Sequence, residues 1–143
     1  MEDLLSPPEG RAVTVLHDDY RLDNLFFDEE RNVTALDWQV TVKGPPGYDF
    51  AYFLSQSLSV EGRRSQLDHL ADVYLSTLEQ EGVAYDRDDF WHDVRRSLVF
   101  CLFYPIQCMA YDFTDPRVAV LVREMATRST SAILDLDALR LLD

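Results

Sequence analysis

Within eight residues the chain sets His17, Asp18, Asp19, Arg21 and Asn24, and thirteen residues after Asn24 it sets Asp37 beside Trp38. Carboxylates, an amide and a cation at such spacings suit phosphoryl transfer, which asks a protein mainly for positioning and for neutralising charge spread over phosphate oxygens. Asn24 and Asp37 are hard oxygen donors. Brought together, they could hold a magnesium ion alongside substrate phosphates and water.

The elements around these residues must do the positioning. Ala12 to Leu16 alternates like a short strand ending at His17, and a polar loop then carries Asp19 and Asn24. Leu25 to Phe27 and Val33 to Leu36 are apolar runs separated by the charged stretch Asp28-Glu29-Glu30-Arg31-Asn32, which predicts a hairpin. Such a hairpin returns Asp37 to the loop that carries Asn24.

The pattern H-x-D-x-x-x-x-N, then a hairpin, then Asp37-Trp38, then Gly44-Pro45-Pro46-Gly47-Tyr48-Asp49-Phe50, resembles the C-terminal lobe of the aminoglycoside phosphotransferase and choline kinase-like family. Its wording is most similar to the ecdysteroid-kinase-like and acyl-CoA-dehydrogenase-associated branch. The resemblance implies a protein-kinase-like fold, ATP and Mg2+ as cofactors, and transfer of the ATP γ-phosphate to a hydroxyl of a small acceptor. It makes Asp19 the catalytic base, Arg21 a charge-stabilising group near the transferred phosphate, and Asn24 and Asp37 the magnesium ligands. His17 and Asp49 become structural supports bonded to backbone around the loop. Trp38 stands where protein kinases have Phe-Gly, which favours a small-molecule acceptor. The family usually has glycine where this chain has Asp18; if Asp18 and Asp19 shared one cleft each would disfavour ionisation of the other, so Asp18 is expected to turn away.

Each of these residues also has an ordinary role. Asp and Asn are common turn formers, exposed arginines often pair with carboxylates, and only the joint spacing outweighs this. The dipeptides His17-Asp18 and His92-Asp93, with His69, also evoke His-Asp metal phosphohydrolases, a remote alternative that explains neither Asn24 nor Asp37-Trp38. A third reading is a non-catalytic kinase-like remnant acting as a binding or interaction module. It arises because only sixteen residues precede His17, no Gly-rich loop precedes it, and the single lysine, Lys43, follows Asp37. The expectation is therefore a truncated lobe lacking its N-terminal partner, its activity alone left open, with a homodimer or partner chain covering the surface so exposed.

A net charge of -13 argues against nucleic acid and favours a cationic acceptor, and 47% hydrophobic residues exclude disorder. Cys101 and Cys108 lie about 10 Å apart along one helix, too far to pair. With no membrane span or signal region, the expected location is cytoplasmic.

The whole is expected to be α+β, mainly α, in one domain over residues 1–143, with the loop, hairpin and first helix in 12–58 and a helical subdomain in 59–143. Four helices are predicted: from Phe50 to Leu58, from Arg63 to Glu81 with Gly82 as stop, from a cap at Asp88 to Ala110 with a kink at Pro105, and from Asp115-Pro116 onward. The run Leu98 to Tyr104 is apolar all round and calls for burial. The inner side of the last helix is predicted at Val118, Leu121, Met125 and Ile133. Tyr104, Tyr111 and Asp112 are candidates for an acceptor pocket, although aromatics at helical spacing more often fill the core.

Overall fold

The computed structural model describes residues 11–111 and 115–142, so Asp112 lies outside the described residues. The chain is mainly helical. Strands β1 (Thr14–Leu16), β2 (Leu25–Phe27), β3 (Val33–Ala35) and β4 (Val42–Gly44) precede helices α1 (Gly47–Gln56), α2 (Val60–Gln80), α3 (Arg87–Cys101), α4 (Phe103–Met109) and α5 (Pro116–Asp135). Short 3-10 turns occupy Leu22–Asn24, Trp38–Val40 and Ala138–Leu142.

Two antiparallel ribbons frame the loop. β2 pairs with β3 in the register Leu25↔Ala35, and the Asp28 carboxylate accepts from the Asn32 backbone and side-chain amides to close the turn. β1 pairs with β4, Leu16 opposite Val42 and Thr14 opposite Gly44, a pairing with no counterpart in the expected strands. A side chain at Gly44 would place its Cβ 2.6 Å from Leu16 Cδ1, so glycine there lets β4 lie against a buried leucine.

Helix α1 packs chiefly on α3 and also on α5, α3 meets the last 3-10 turn, and α4 lies on α5. Gly47 allows the α1 start to approach α3: a Cβ would meet Asp93 Cβ and Val94 N, both at 3.2 Å. Phe90 is the buried centre, with ring centroids of Trp91, Phe50, Tyr74 and Tyr85 within 5.0 to 5.8 Å. Burying such a ring contributes about 1.5–3 kcal/mol. Asp93 is buried beside it, accepting from the Tyr85 hydroxyl at 2.6 Å and facing Arg11 at 3.5 Å.

The helices begin and end for local reasons. Ser59 caps α2 by accepting from Gly62 N, and Asp115 caps α5 with Pro116 in the first turn. Gly82, at φ +78°, takes the left-handed conformation that ends α2. The α3 cap is Asp86 rather than Asp88; it accepts from the amides of Asp88 and Asp89. The break in the third helix falls at Leu102, three residues before Pro105. Proline has no N–H to bond Cys101 O four residues back, and Gln56 Nε2 donates to that carbonyl at 3.2 Å instead.

Burial differs from the expected pattern at the C-terminal helices. Leu98 and Cys101 are buried, but Phe103, Tyr104, Ile106 and Met109 of α4 are exposed, as is Tyr111. On α5 the inner stripe is Val122, Met125, Ser129, Ala132 and Ile133, while Leu121 is exposed. Met125 and Ile133 lie on the expected inner side, Val118 is half-buried, Val122 takes the place expected of Leu121, and the buried Ser129 carries the stripe between them. No described helix is long and apolar enough to cross a membrane.

Candidate functional site

The loop after β1 is gripped from helix α1. Asp49, in the first turn of α1, accepts the His17 N–H at Oδ2 (2.7 Å) and the Asp18 N–H at Oδ1 (3.0 Å). These bonds hold its carboxylate down, but burial outweighs them and raises its pKa above the usual aspartate value. One turn along the same face, Tyr52 donates to Asp19 Oδ1 at 2.9 Å. Tyr48 faces the Asp18 carboxylate instead. Burial, reinforced by the nearby carboxylates, pushes both phenols up, so each stays a neutral donor.

The adjacent carboxylates therefore part company. Asp18 sits at φ +67°, a left-handed conformation that favours glycine and that Asp tolerates, which accounts for glycine as the usual residue here. Its pKa is raised, first by burial and then by the charges of Asp49 and Asp19. Asp19 turns to another set of partners. Its Oδ2 accepts from Asn24 Nδ2 at 2.8 Å, and Arg21 Nε lies 3.1 Å from its Oδ1 as an ion-pair contact. Arg21 NH1 also faces Asp23 at 3.3 Å.

Asn24 is buried, and its Nδ2 additionally donates to Asp19 O at 2.8 Å. With the nitrogen engaged twice on Asp19, the amide Oδ1 is directed away from that residue. The Asn24 backbone oxygen accepts from Leu36 N at 2.8 Å, and the Leu36 oxygen lies 2.7 Å from His17 Nε2. His17 Nδ1 accepts the Asp19 N–H at 3.3 Å, which assigns the ring proton to Nε2 and makes Leu36 O the acceptor. His17 also packs on Trp38, centroids 4.7 Å apart. The buried imidazole thus ties the loop to the residue before Asp37. Asp37 itself is exposed, at φ +64° and ψ +57°, and its carboxylate takes no cap bond from the turn that follows.

The donor set fits a hard cation: an amide oxygen and a carboxylate on segments joined through Leu36. Among the described residues no group of three or more His, Cys, Asp or Glu could hold a metal ion. Two protein oxygens leave room for phosphate oxygens and water to complete an octahedron. The residues of the phosphohydrolase alternative are not gathered: His69 is exposed on α2, Asp93 is turned to Tyr85 and Arg11, and His92 lines a separate cleft with Arg96 and Val99.

Tyr48, Tyr52 and Ser57, which accepts the Leu22 N–H at 3.0 Å, received no role from the sequence reading. The signal was present, since positions 48, 49 and 52 share one helix face. Tyr104, exposed on α4, is electrostatically within reach of Arg21 and Asp19 and bonded to Cys108. Beside the loop, an apolar groove of 460 Å³ is lined by Val15, Leu16, Tyr20, Phe53, Leu70 and Tyr74 among others, with His17 and Asp49.

The chain is 36% identical over 81 residues to acyl-CoA dehydrogenase family member 11 of Gallus gallus, covering 52% of this chain and 10% of the chicken protein. It is 40% identical over 47 residues to acyl-CoA dehydrogenase family member 10 of Mus musculus, covering 32% of this chain and 4% of the mouse protein. The chain thus spans a tenth or less of the length of these relatives. No solved structure matches it. The profile described as the phosphotransferase enzyme family matches residues 2–91, and the chain belongs to that family.

Proposed function

We propose that the chain forms the catalytic-loop part, the C-terminal lobe of a protein-kinase-like fold, of an ATP- and magnesium-dependent phosphotransferase acting on a hydroxyl of a small acceptor. The observation that carries this reading is the pair of hydrogen bonds that Asn24 Nδ2 donates to Asp19, which orders the loop while leaving the Asn24 oxygen for a cation. Asp19 takes, or orients, the proton of the acceptor hydroxyl. A carboxylate has about four lone-pair sites, so its contacts with Asn24, Tyr52 and Arg21 leave capacity for one more donor. As the acceptor oxygen bonds to the γ-phosphorus and the bond to the β,γ-bridging oxygen breaks, Arg21 offers positive charge beside Asp19. Asn24 Oδ1 and Asp37 would hold Mg2+. Bound there, magnesium would supply charge neutralisation on the phosphate oxygens.

The charge of -13 favours a neutral or cationic acceptor over an anionic one. Two unpaired cysteines, Cys101 with its thiol pushed up to about 12 by burial, fit a reducing, cytoplasmic setting. The test is ATP turnover by the full-length protein that carries this domain. Asp19→Asn and Asp37→Asn should each lower turnover by about a hundredfold or more while thermal stability stays within about 1 kcal/mol. Unchanged turnover in both variants would favour the non-catalytic binding module.

A further inference from the structure

The apolar groove of 460 Å³ beside the loop takes no part in the chemistry above. Its walls are Val15 and Leu16 of β1, Phe50 and Phe53 of α1, and Val73 and Tyr74 of α2, completed by His17 and Tyr20 of the loop and by Trp38. Seven lining residues carry polar side-chain atoms, and five of them spend these inside the chain. The Asp49 oxygens accept from His17 N and Asp18 N, and the ring nitrogens of His17 are engaged on Leu36 O and Asp19 N. Trp38 Nε1 donates to Ala35 O at 3.0 Å, the Tyr74 hydroxyl to Pro46 O at 2.9 Å, and Thr77 Oγ1 to Val73 O at 2.8 Å. Thr14 and Tyr20 contribute the other two polar side chains, and neither Lys nor Arg lines the groove.

A charged ligand entering here would give up water and meet no free counter-charge. An uncharged apolar ligand gives up only unfavourable hydration. The groove follows α2 from Leu70 to Leu78, a length of about 12 Å. A docked helix of average length, about 11 residues, would run to roughly 16 Å and overshoot it. Volume and lining are those of a small-molecule site, which typically holds roughly 300–1,000 Å³ among apolar and aromatic side chains. Tyr20, Trp38, Phe50, Phe53 and Tyr74 give it aromatic walls, and their faces and edges pair favourably with another ring. We propose that this groove binds an uncharged, apolar ring compound. Filling it would brace His17, which ties Asp19 to Leu36 beside Asp37; that consequence alone rests on the phosphotransfer reading.

The experiment titrates the whole chain, without nucleotide or metal, with N-phenyl-1-naphthylamine, a neutral fluorophore that brightens in apolar surroundings. Emission should saturate at one fluorophore per chain, with nuclear Overhauser contacts to the Val15 and Val73 methyl groups. Val73→Lys and Thr77→Trp, both at exposed positions, should each weaken binding roughly tenfold or more, while Val120→Ser on α5 leaves it unchanged. 8-Anilinonaphthalene-1-sulfonate carries the same rings with a negative charge, and it should bind about tenfold more weakly or worse. Overhauser contacts to Ile106 and Met109 of α4 instead, binding unchanged in both groove variants, or equal binding of the sulfonate would overturn the proposal. So would a response that never saturates, or a dimer in sedimentation that must dissociate before the fluorophore binds, which would assign the groove to a second copy. With no nucleotide or turnover in the assay, a failed titration leaves the phosphotransfer reading standing, and the loss of that reading leaves a positive titration standing.

Discussion

Asn24 Nδ2 donates to both the backbone oxygen and the Oδ2 of Asp19, each at 2.8 Å, so one amide nitrogen sets the position and the rotamer of the carboxylate five residues before it. Asn24→Ala removes both bonds and the oxygen available to a cation. Two hydrogen bonds at about 1 kcal/mol each predict a loss near 2 kcal/mol, measured by urea unfolding. Turnover by the full-length protein should fall by far more than this stability loss explains.

Tyr52→Phe separates positioning from structure. The ring keeps its place in the core, and only the donor to Asp19 Oδ1 is lost. Unfolding free energy should drop by about 1 kcal/mol or less, and kcat by about tenfold with KM little changed. An equal effect on KM would mean that the tyrosine holds the acceptor rather than the aspartate.

Asp18 yields a prediction with a sign. Its folded pKa is raised, mainly by burial, so from about pH 3.8 upward the folded chain holds this proton better than the unfolded chain does. Stability is therefore lost as pH rises through the folded pKa. Asp18→Asn keeps a residue that tolerates the left-handed backbone and removes the charge. Thermal unfolding at pH 7 should rise by a few degrees over wild type, and the gain should shrink toward pH 4.

Asp135 has the opposite sign. Its side chain is paired to Arg64 and to the buried Arg63, whose NH2 lies 2.6 Å away, and these hold its pKa down to about 2. The stability it contributes is present above the unfolded value near 3.8 and is lost as pH falls toward 2. Asp135→Asn leaves Arg63 buried without its carboxylate, and should cost about 3 kcal/mol at pH 7 by chemical unfolding. At pH 2 the variant and wild type should converge.

The loop was legible because its spacing is local: positions 17, 19, 24 and 37 can be read along the chain, and the charged stretch from Asp28 to Asn32 marks its hairpin. What closes the site is long-range. Nothing near Val42-Lys43-Gly44 announces a strand, since its partner is β1, nearly thirty residues earlier. Tyr52 reads as one core aromatic among several until α1 is laid against the loop. The helix break at Leu102 depends on Gln56, which takes the Cys101 carbonyl that proline leaves unbonded. The apolar run toward Tyr104 promised burial, yet only Leu98 and Cys101 are buried, and Phe103 and Tyr104 in α4 face outward.

The most direct measurement on the central claim is paramagnetic broadening of the Asn24 side-chain amide by Mn2+ with ATP. Manganese shares the oxygen-ligand preference of magnesium, and unpaired electrons broaden only nearby resonances. The account predicts saturable broadening centred on the Asn24 side chain and the Asp37 backbone amide, reversed by excess Mg2+ and absent in Asp37→Asn. Broadening centred instead on the exposed acidic stretch from Asp86 to Asp89, with Asn24 untouched, would contradict it.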